Sequence, residues 1–197
     1  MTKRFRPTLA LFLIAIPTLS LLSCVSGGGR KPTRDTWMDP DPTIRMIDVA
    51  IAKPRVATKQ EPLLFPAMRE AAHRTLLDEK GYSIVSNEVV DAALATAAVD
   101  ATGDASMASQ VVDADCVILI NVTRWDTSEL IPRGRIYASG TIRAAGKPNG
   151  RRVFEHTFAD QILLAPSQLT PLNRDEAEKQ MAAELVTQSL AGFPKKN

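Results

Sequence analysis

The sequence predicts an α/β fold of α+β character, a mixed sheet of about five strands with helices packed on it, in the order β-α-β-α-α-β-β-β-α. Three observations predict it. Runs dense in β-branched and apolar residues recur at 44–51 and 116–124, stripes of helical period lie between them, and two alternating segments near 135–162 are joined by a Pro-Asn-Gly turn.

The first strand is Ile44-Arg45-Met46-Ile47-Asp48-Val49-Ala50-Ile51, closed by Lys53-Pro54. The helix after it carries Phe65, Met68, Ala72 and Leu76 on one stripe, with Lys80 in its last turn and Gly81 as its stop. Tyr82 to Ser86 is a short strand. Val89 to Leu94 then begins a second helix, capped by Ser86 or Asn87. The stretch Asp100 to Asp104 breaks that helix, and a short helical piece follows from about Ala105 to Val112. The run from Cys116 to Arg124 is the strongest strand signal, and its continuity is that of a central strand covered on both faces.

In the hairpin, Ile136, Ala138, Gly140 and Ile142 share one face of the first strand, and Phe154, His156, Phe158, Asp160 and Ile162 share one face of the second. Lys147-Pro148-Asn149-Gly150 is the turn between them. The last helix opens at Asn173 with Glu176 three residues on, close to a capping box, and its stripe is Ala177, Met181 and Leu185. Gly192 and Pro194 end it.

Ahead of the domain, Lys3, Arg4 and Arg6 precede an apolar run of about 14 residues, too short for the roughly 20 that a bilayer core requires. It ends in Leu21-Leu22-Ser23-Cys24, with Ser23 and Cys24 flanking the expected cut. Residues 1–23 therefore read as a signal peptide. Residues 24–43 read as a tether, rich in Gly, Pro and Ser, and 44–197 as a single globular domain. A tether of about 19 residues has a root-mean-square reach of roughly 25 Å. Within it Trp37 either lies at a membrane interface or docks on the domain. The competing readings of the leader are an ordinary secretory signal cut nearby and an uncut embedded segment.

This leader resembles the lipoprotein signal with its lipobox. That resemblance implies a diacylglycerol and an N-acyl chain on Cys24 as the only attached groups, with no cofactor and no metal. Val25 at the second mature position implies an outer-membrane address, with the domain facing the periplasm. The domain also resembles the family of small outer-membrane lipoproteins that share the α/β fold of the TolB amino-terminal domain and of the curli-secretion lipoprotein. The matching words are Gly81-Tyr82-Ser83-Ile84-Val85, Val90-Asp91-Ala92-Ala93-Leu94, Asp113 to Ile120, and the closing hairpin. The resemblance implies a non-enzymatic protein that acts in envelope assembly, secretion or transport through protein contacts. Its ending at Ala52-Lys53-Pro54-Arg55 departs from the Pro-Pro-Leu-Asn usual in such lipoproteins.

Removing the three leader cations leaves 21 Lys and Arg against 22 Asp and Glu, a net charge of −1, which lacks the electrostatic footprint of a nucleic-acid binder. With Cys24 lipidated, Cys116 is an odd thiol heading an apolar run, so burial is expected in preference to intermolecular pairing. His73 and His156 each lack an evident orienting partner, and the usual hydrolase, zinc-protease, phosphate-loop and thiol-redox signatures are absent. Asp100 and Asp104 read as a helix break with caps, and Asp113 and Asp115 as turn formers.

One charge cluster stands out. Arg143, Lys147, Arg151 and Arg152 surround the hairpin turn, with Arg133 and Arg135 on the first of its strands, and form a candidate contact for anionic headgroups, lipopolysaccharide or an acidic partner. The alternative is a solvated tip whose cations oppose edge-to-edge aggregation. The expected function is an accessory or assembly role in a secretion, transport or surface-assembly machine, with an envelope protein or a second copy of the chain as partner. Competing functions are activation of a peptidoglycan synthase, a partner-free structural lipoprotein, and a hydrolase whose site would gather Asp115, Arg124, Tyr137 or His156.

Overall fold

The computed structural model describes residues 33–39, 46–97, 104–147, 149–165, 170 and 173–196. Ser23, Cys24 and the rest of the leader lie outside them, as do Asp100 and Thr102. The strands are β1 (Thr33–Met38), β2 (Asp48–Ile51), β3 (Arg55–Val56), β4 (Ser83–Ile84), β5 (Cys116–Asp126), β6 (Arg135–Gly146) and β7 (Arg151–Leu164). The helices are α1 (Glu61–Arg74), continued by a π-helical turn over Thr75–Glu79, α2 (Asn87–Thr96), α3 (Ala105–Val111), α4 (Leu130–Arg133) and α5 (Arg174–Leu190).

The strands form one seven-stranded mixed sheet in the order β1-β7-β6-β5-β2-β4, with β3 continuing alongside β5. Pairing around β2 is parallel, because α1 and the connections near α2 and α3 carry the chain back across the sheet. From β5 to β6, β7 and β1 every pairing is antiparallel. The α/β class and the mixed sheet are as the sequence predicts. The two extra strands are β1 and the two-residue β3.

β5 lies mid-sheet, and its first half, Cys116 to Ile120, is buried on both faces. Cys116, Ile118, Ile120 and Val122 enter a core shared with α1 and α5, through Leu64, Met68, Leu76, Met181 and Leu185. Val117 and Leu119 enter a second core with Val90, Leu94, Ala105 and Ala108 of α2 and α3. Cys116 is a buried free thiol whose pKa is pushed up, first by burial and then by Asp115. Ser86 caps α2, its hydroxyl accepting the Val89 N–H, and Asp104 caps α3, accepting the Ser106 N–H at 2.8 Å. Gly81 stops the first helix at φ +81°.

The structure corrects the sequence reading in several places. Thr33–Met38, expected to be tether, is an edge strand paired with β7 from Thr33↔Ala159 to Met38↔Phe154. Its side chains do not alternate in hydrophobicity, so its order comes from the backbone ladder and from specific contacts. Of the first predicted strand, Ile44 and Arg45 lie outside the described residues, Met46 and Ile47 are not in a strand, and β2 begins at Asp48. On α1 the buried stripe is Leu64, Met68, Ala72 and Leu76; Phe65 is half-buried, with the Lys53 ammonium 4.3 Å from its ring centroid. Asn173 stands at the start of α5, but its Oδ1 accepts the Thr170 N–H at 2.6 Å and no capping box closes.

The most consequential correction is in β7. Phe154, His156 and Phe158 point into the core as predicted, but Gln161 and Leu163 are buried next, and Ile162 is exposed. A bulge shifts the phase: Ala138 pairs with Gln161 but Gly140 with Phe158, so Ala159 and Asp160 together oppose Ser139. Asp160 adopts φ +49°, a conformation its short polar side chain tolerates, and donates its N–H to Ser139 Oγ at 2.9 Å. A second bulge lies at Thr123 of β5, so the ladder is distorted on both sides of Ser139 and Gly140.

Three polar ties join elements that the cores alone would leave loose. The buried Arg69 of α1 donates from Nε and Nη2 to the Ile51 carbonyl (3.1 and 2.7 Å) and forms a two-pronged pair with Asp91 of α2 (2.8 and 2.9 Å). β4 ends at Ile84, beside Val49, so Arg69 supplies a partner where that ladder stops. Glu178 of α5, with no exposed surface, accepts from Gln60 Nε2 (3.3 Å), Arg174 Nε (2.9 Å) and Trp125 Nε1 (3.3 Å). At the C-terminal end, Phe193 packs edge-on against Tyr82 and Phe154, and burial pushes the Tyr82 hydroxyl up to about 12, leaving it a neutral donor to the Pro194 carbonyl.

Candidate functional site

The two faces of the sheet are covered unequally. α1 and α5 cover one along its length, whereas α2 and α3 cover the other over β2, the start of β5 and the hairpin tip. The rest of that second face, from late β5 across β6 and β7 to β1, is a half-exposed polar surface. One transverse row is Asn121, Thr141, Thr157 and Asp35, and the next toward the tip includes Arg143, Glu155 and Trp37. This open face is the candidate functional surface.

Toward the end of β5 the open face carries an ion cluster seated on the bulges. Arg124 donates to Asp160 Oδ1 at 2.6 Å and to Asp126 Oδ2 at 2.7 Å. The Ser128 hydroxyl and backbone N–H, then Arg124, hold the Asp126 carboxyl down at about 2. A carboxyl depressed in the folded state contributes stability above its unfolded pKa of about 3.9 and loses it as pH falls toward the folded value. Asp126→Asn is therefore expected to flatten the decline of the urea midpoint between about pH 4 and pH 2, modestly, because the group is solvent-accessible. Identical slopes for the two proteins would exclude this contribution.

Every cation of the predicted basic tip has a carboxylate neighbour. Arg143 and Arg152 both approach Glu155 Oε2, at 3.6 and 2.9 Å. Lys147 pairs with Asp113 at 3.0 Å, and Arg151 Nη2 donates to Asp39 at 2.6 Å. Arg133 and Arg135, expected beside this cluster, stand instead at the far end of the hairpin, Arg133 on α4 and Arg135 opposite Leu164, where they share Glu129 at 2.7 and 3.2 Å. Arg152 also lies 4.0 Å from the Trp37 ring centroid, so Trp37 docks on the domain. The tip is a charge-compensated grid, and a shallow pocket of about 310 Å³ opens between it and α3, bounded by Asp104, Ser106, Arg143 and Arg152.

The scattered polar residues do not converge. Asp115, at the start of β5, accepts the Ile47 and Asp48 N–H groups (2.8 and 3.1 Å) and so aligns β2 with β5. Tyr137 pairs with Asp126 at the opposite end of the same ladder, roughly 30 Å away at strand rise, where its hydroxyl donates to Glu129 at 2.9 Å. His156 faces the core side, buried, with Nδ1 2.7 Å from the Thr36 hydroxyl and its ring stacked near Phe158. His73 Nε2 lies 3.1 Å from Asn87 Oδ1. No group of three or more His, Cys, Asp or Glu among the described residues could hold a metal ion, and no helix among them is long and apolar enough to cross a membrane.

A groove of about 500 Å³ runs between the end of β7 and α5, rimmed by Ile162, Leu164, Met181 and Glu184. The sequence reading missed this groove and the Arg124 cluster, since both depend on the bulge at Asp160. An acidic residue inside an otherwise alternating strand is the signal that could have exposed it.

No protein-family model matches the chain, and no curated protein matches it. Among solved structures it is similar to the PelC dodecamer from Paraburkholderia phytofirmans, at 13% identity over 85% of this chain and 100% of that one, with a TM-score of 0.49. It is also similar to the lipoprotein GNA1162 from Neisseria meningitidis, at 17% identity over 72% and 96% of the two chains, with a TM-score of 0.45. A third likeness is to protein XCC0632 from Xanthomonas campestris, at 11% identity over 76% and 85%, with a TM-score of 0.37.

Proposed function

We propose that this chain is a lipid-anchored bacterial envelope protein that serves, without catalysis of its own, as an accessory to a secretion, transport or surface-assembly machine. The observation that carries the reading is the leader ending in Leu21-Leu22-Ser23-Cys24. Acyl chains on Cys24, at about 0.8 kcal/mol per buried CH₂, would hold the domain at the outer membrane on its periplasmic side. The open polar face of β5, β6, β7 and β1 is the surface offered to an envelope protein partner or to a second copy. Its rows of Thr, Asn and paired charges suit a wet contact of moderate affinity.

Entry of the chain into the sheet at Thr33 supports this reading over activation of a peptidoglycan synthase. Only residues 25–32 separate Cys24 from the first strand, and nine residue steps reach at most about 32 Å. The distance between Asp115 and Tyr137 weighs against the hydrolase reading.

Crosslinking in intact cells, followed by detergent extraction and mass spectrometry of what copurifies, tests the proposal beside a Cys24→Ala control. Recovery of an envelope machine component with the wild-type protein and its loss with the control is the expected result. A protein recovered alone in both cases would replace the accessory role with that of a partner-free structural lipoprotein.

A further inference from the structure

Resting on the lipid-anchored reading above, we infer that the domain meets the bilayer with one particular end, where the exposed side chains of Ile131, Ile162 and Leu164 enter the membrane interface, leaving the hairpin tip pointing away. The direction of β1 is the first argument. Thr33 pairs with Ala159 and Met38 with Phe154, so the chain from Cys24 enters β1 at the Leu164 end of β7 and runs toward the tip. Ala159 lies five residues from Leu164 and eight from Arg151, roughly 17 and 26 Å at strand rise. With the tip against the bilayer, the nine steps from Cys24 would have to run back along the domain for roughly 26 Å of their reach of about 32 Å. With the Leu164 end against it, about half of that reach suffices.

The chemistry of the two ends is the second argument. Leu164, 77% exposed, is the most exposed large apolar side chain among the described residues; Ile162, two residues earlier on the same face, is 42% exposed, and Ile131 on α4 is 47% exposed. α4 closes onto this end, where the Ala165 N–H donates to the Gly134 carbonyl. Arg133 and Arg135 flank the group and share the single carboxylate of Glu129, so apolar side chains stand beside a small excess of positive charge, a combination suited to the headgroup and acyl boundary. The opposite end also exposes apolar side chains, Met38 at 49% and Met107 at 53%, but there they stand among Lys147, Arg151 and Arg152, whose ion pairs lie open to water.

The test uses the full lipidated protein in phosphatidylethanolamine and phosphatidylglycerol vesicles, with single cysteines introduced by Ile131→Cys, Ile162→Cys, Leu164→Cys and, on α3 near the tip, Met107→Cys. Buried Cys116 is inaccessible to a thiol-specific nitroxide. All four substituted positions are exposed, so folding should survive. Collision rates with oxygen, which partitions into lipid, and with a water-soluble nickel chelate then report depth. Expected is a several-fold higher oxygen-to-nickel ratio at 131, 162 and 164 than at 107. Equal ratios, or the higher ratio at 107, would overturn the orientation while leaving the anchor intact. The mass of the Cys24 peptide, measured on the same sample, separates the two ideas: an unacylated peptide with no vesicle retention would remove the anchor and the orientation together.

Discussion

Gly140→Ala is expected to lower the stability of the domain by about 3 kcal/mol or more, beyond what is usual for a one-carbon change in a strand. A Cβ at this position would lie 2.3 Å from the Asn121 carbonyl oxygen, 2.9 Å from Val122 Cα and 3.0 Å from Phe158 Cζ. Two of those neighbours are backbone of the central strand, fixed there between β3 and β6, and cannot rotate away. The phenyl ring is held in the main core. Relief therefore requires β6 to separate from β5 where the two bulges already strain the ladder. For a domain of this size the loss corresponds to a melting temperature roughly 10 °C lower. Thermal unfolding followed by circular dichroism checks this, and a shift below about 2 °C would show that the bulges absorb the methyl group. Gly140→Val should prevent folding altogether.

Glu178→Ala should cost about 2–4 kcal/mol, from a cavity at a fully buried site and an unsatisfied buried donor rather than from Arg174, whose side chain is 39% exposed. The substitution leaves the Trp125 indole N–H without its acceptor, removes a partner from Arg174 and Gln60, and opens a void where α5, the start of α1 and the end of β5 meet. Glu178→Gln keeps an oxygen for one donor and should fall between Ala and wild type. Urea unfolding followed by Trp125 fluorescence, in a Trp37→Phe background, reads the series directly. Equal midpoints for Ala and Gln would mean that the carboxylate's charge and acceptor oxygens, not the volume it fills, set the effect.

Much of the sheet is legible in the sequence because its periodicities are physical requirements. A strand covered on both faces must read like Cys116 to Ile120, and a hairpin with one buried face must alternate as Ile136 to Ile142 does. β1 is not legible in that way. Thr33-Arg34-Asp35-Thr36-Trp37-Met38 is ordered by backbone pairing and by two distant partners, the Thr36 contact to His156 and the Trp37 contact to Arg152. The candidate surface divides similarly. Its cations stand close together in sequence and could be listed, but the carboxylates that compensate Lys147 and Arg151, Asp113 and Asp39, arrive from other segments. Periodicity also assumes an unbroken ladder, so the one-residue slip at Asp160 turned the predicted face of Ile162 outward.

The way β1 joins the sheet also sets how the domain bears mechanical load. Any pull on the residues ahead of Thr33, directed outward along the strand, loads the Thr33–Met38 ladder in shear, so that its hydrogen bonds resist together. A pull at right angles would open the same ladder one bond at a time, beginning at Thr33. The domain should withstand tension applied along β1 and peel under tension applied across it, which makes direction, more than magnitude, the variable that decides whether a tugged copy stays folded.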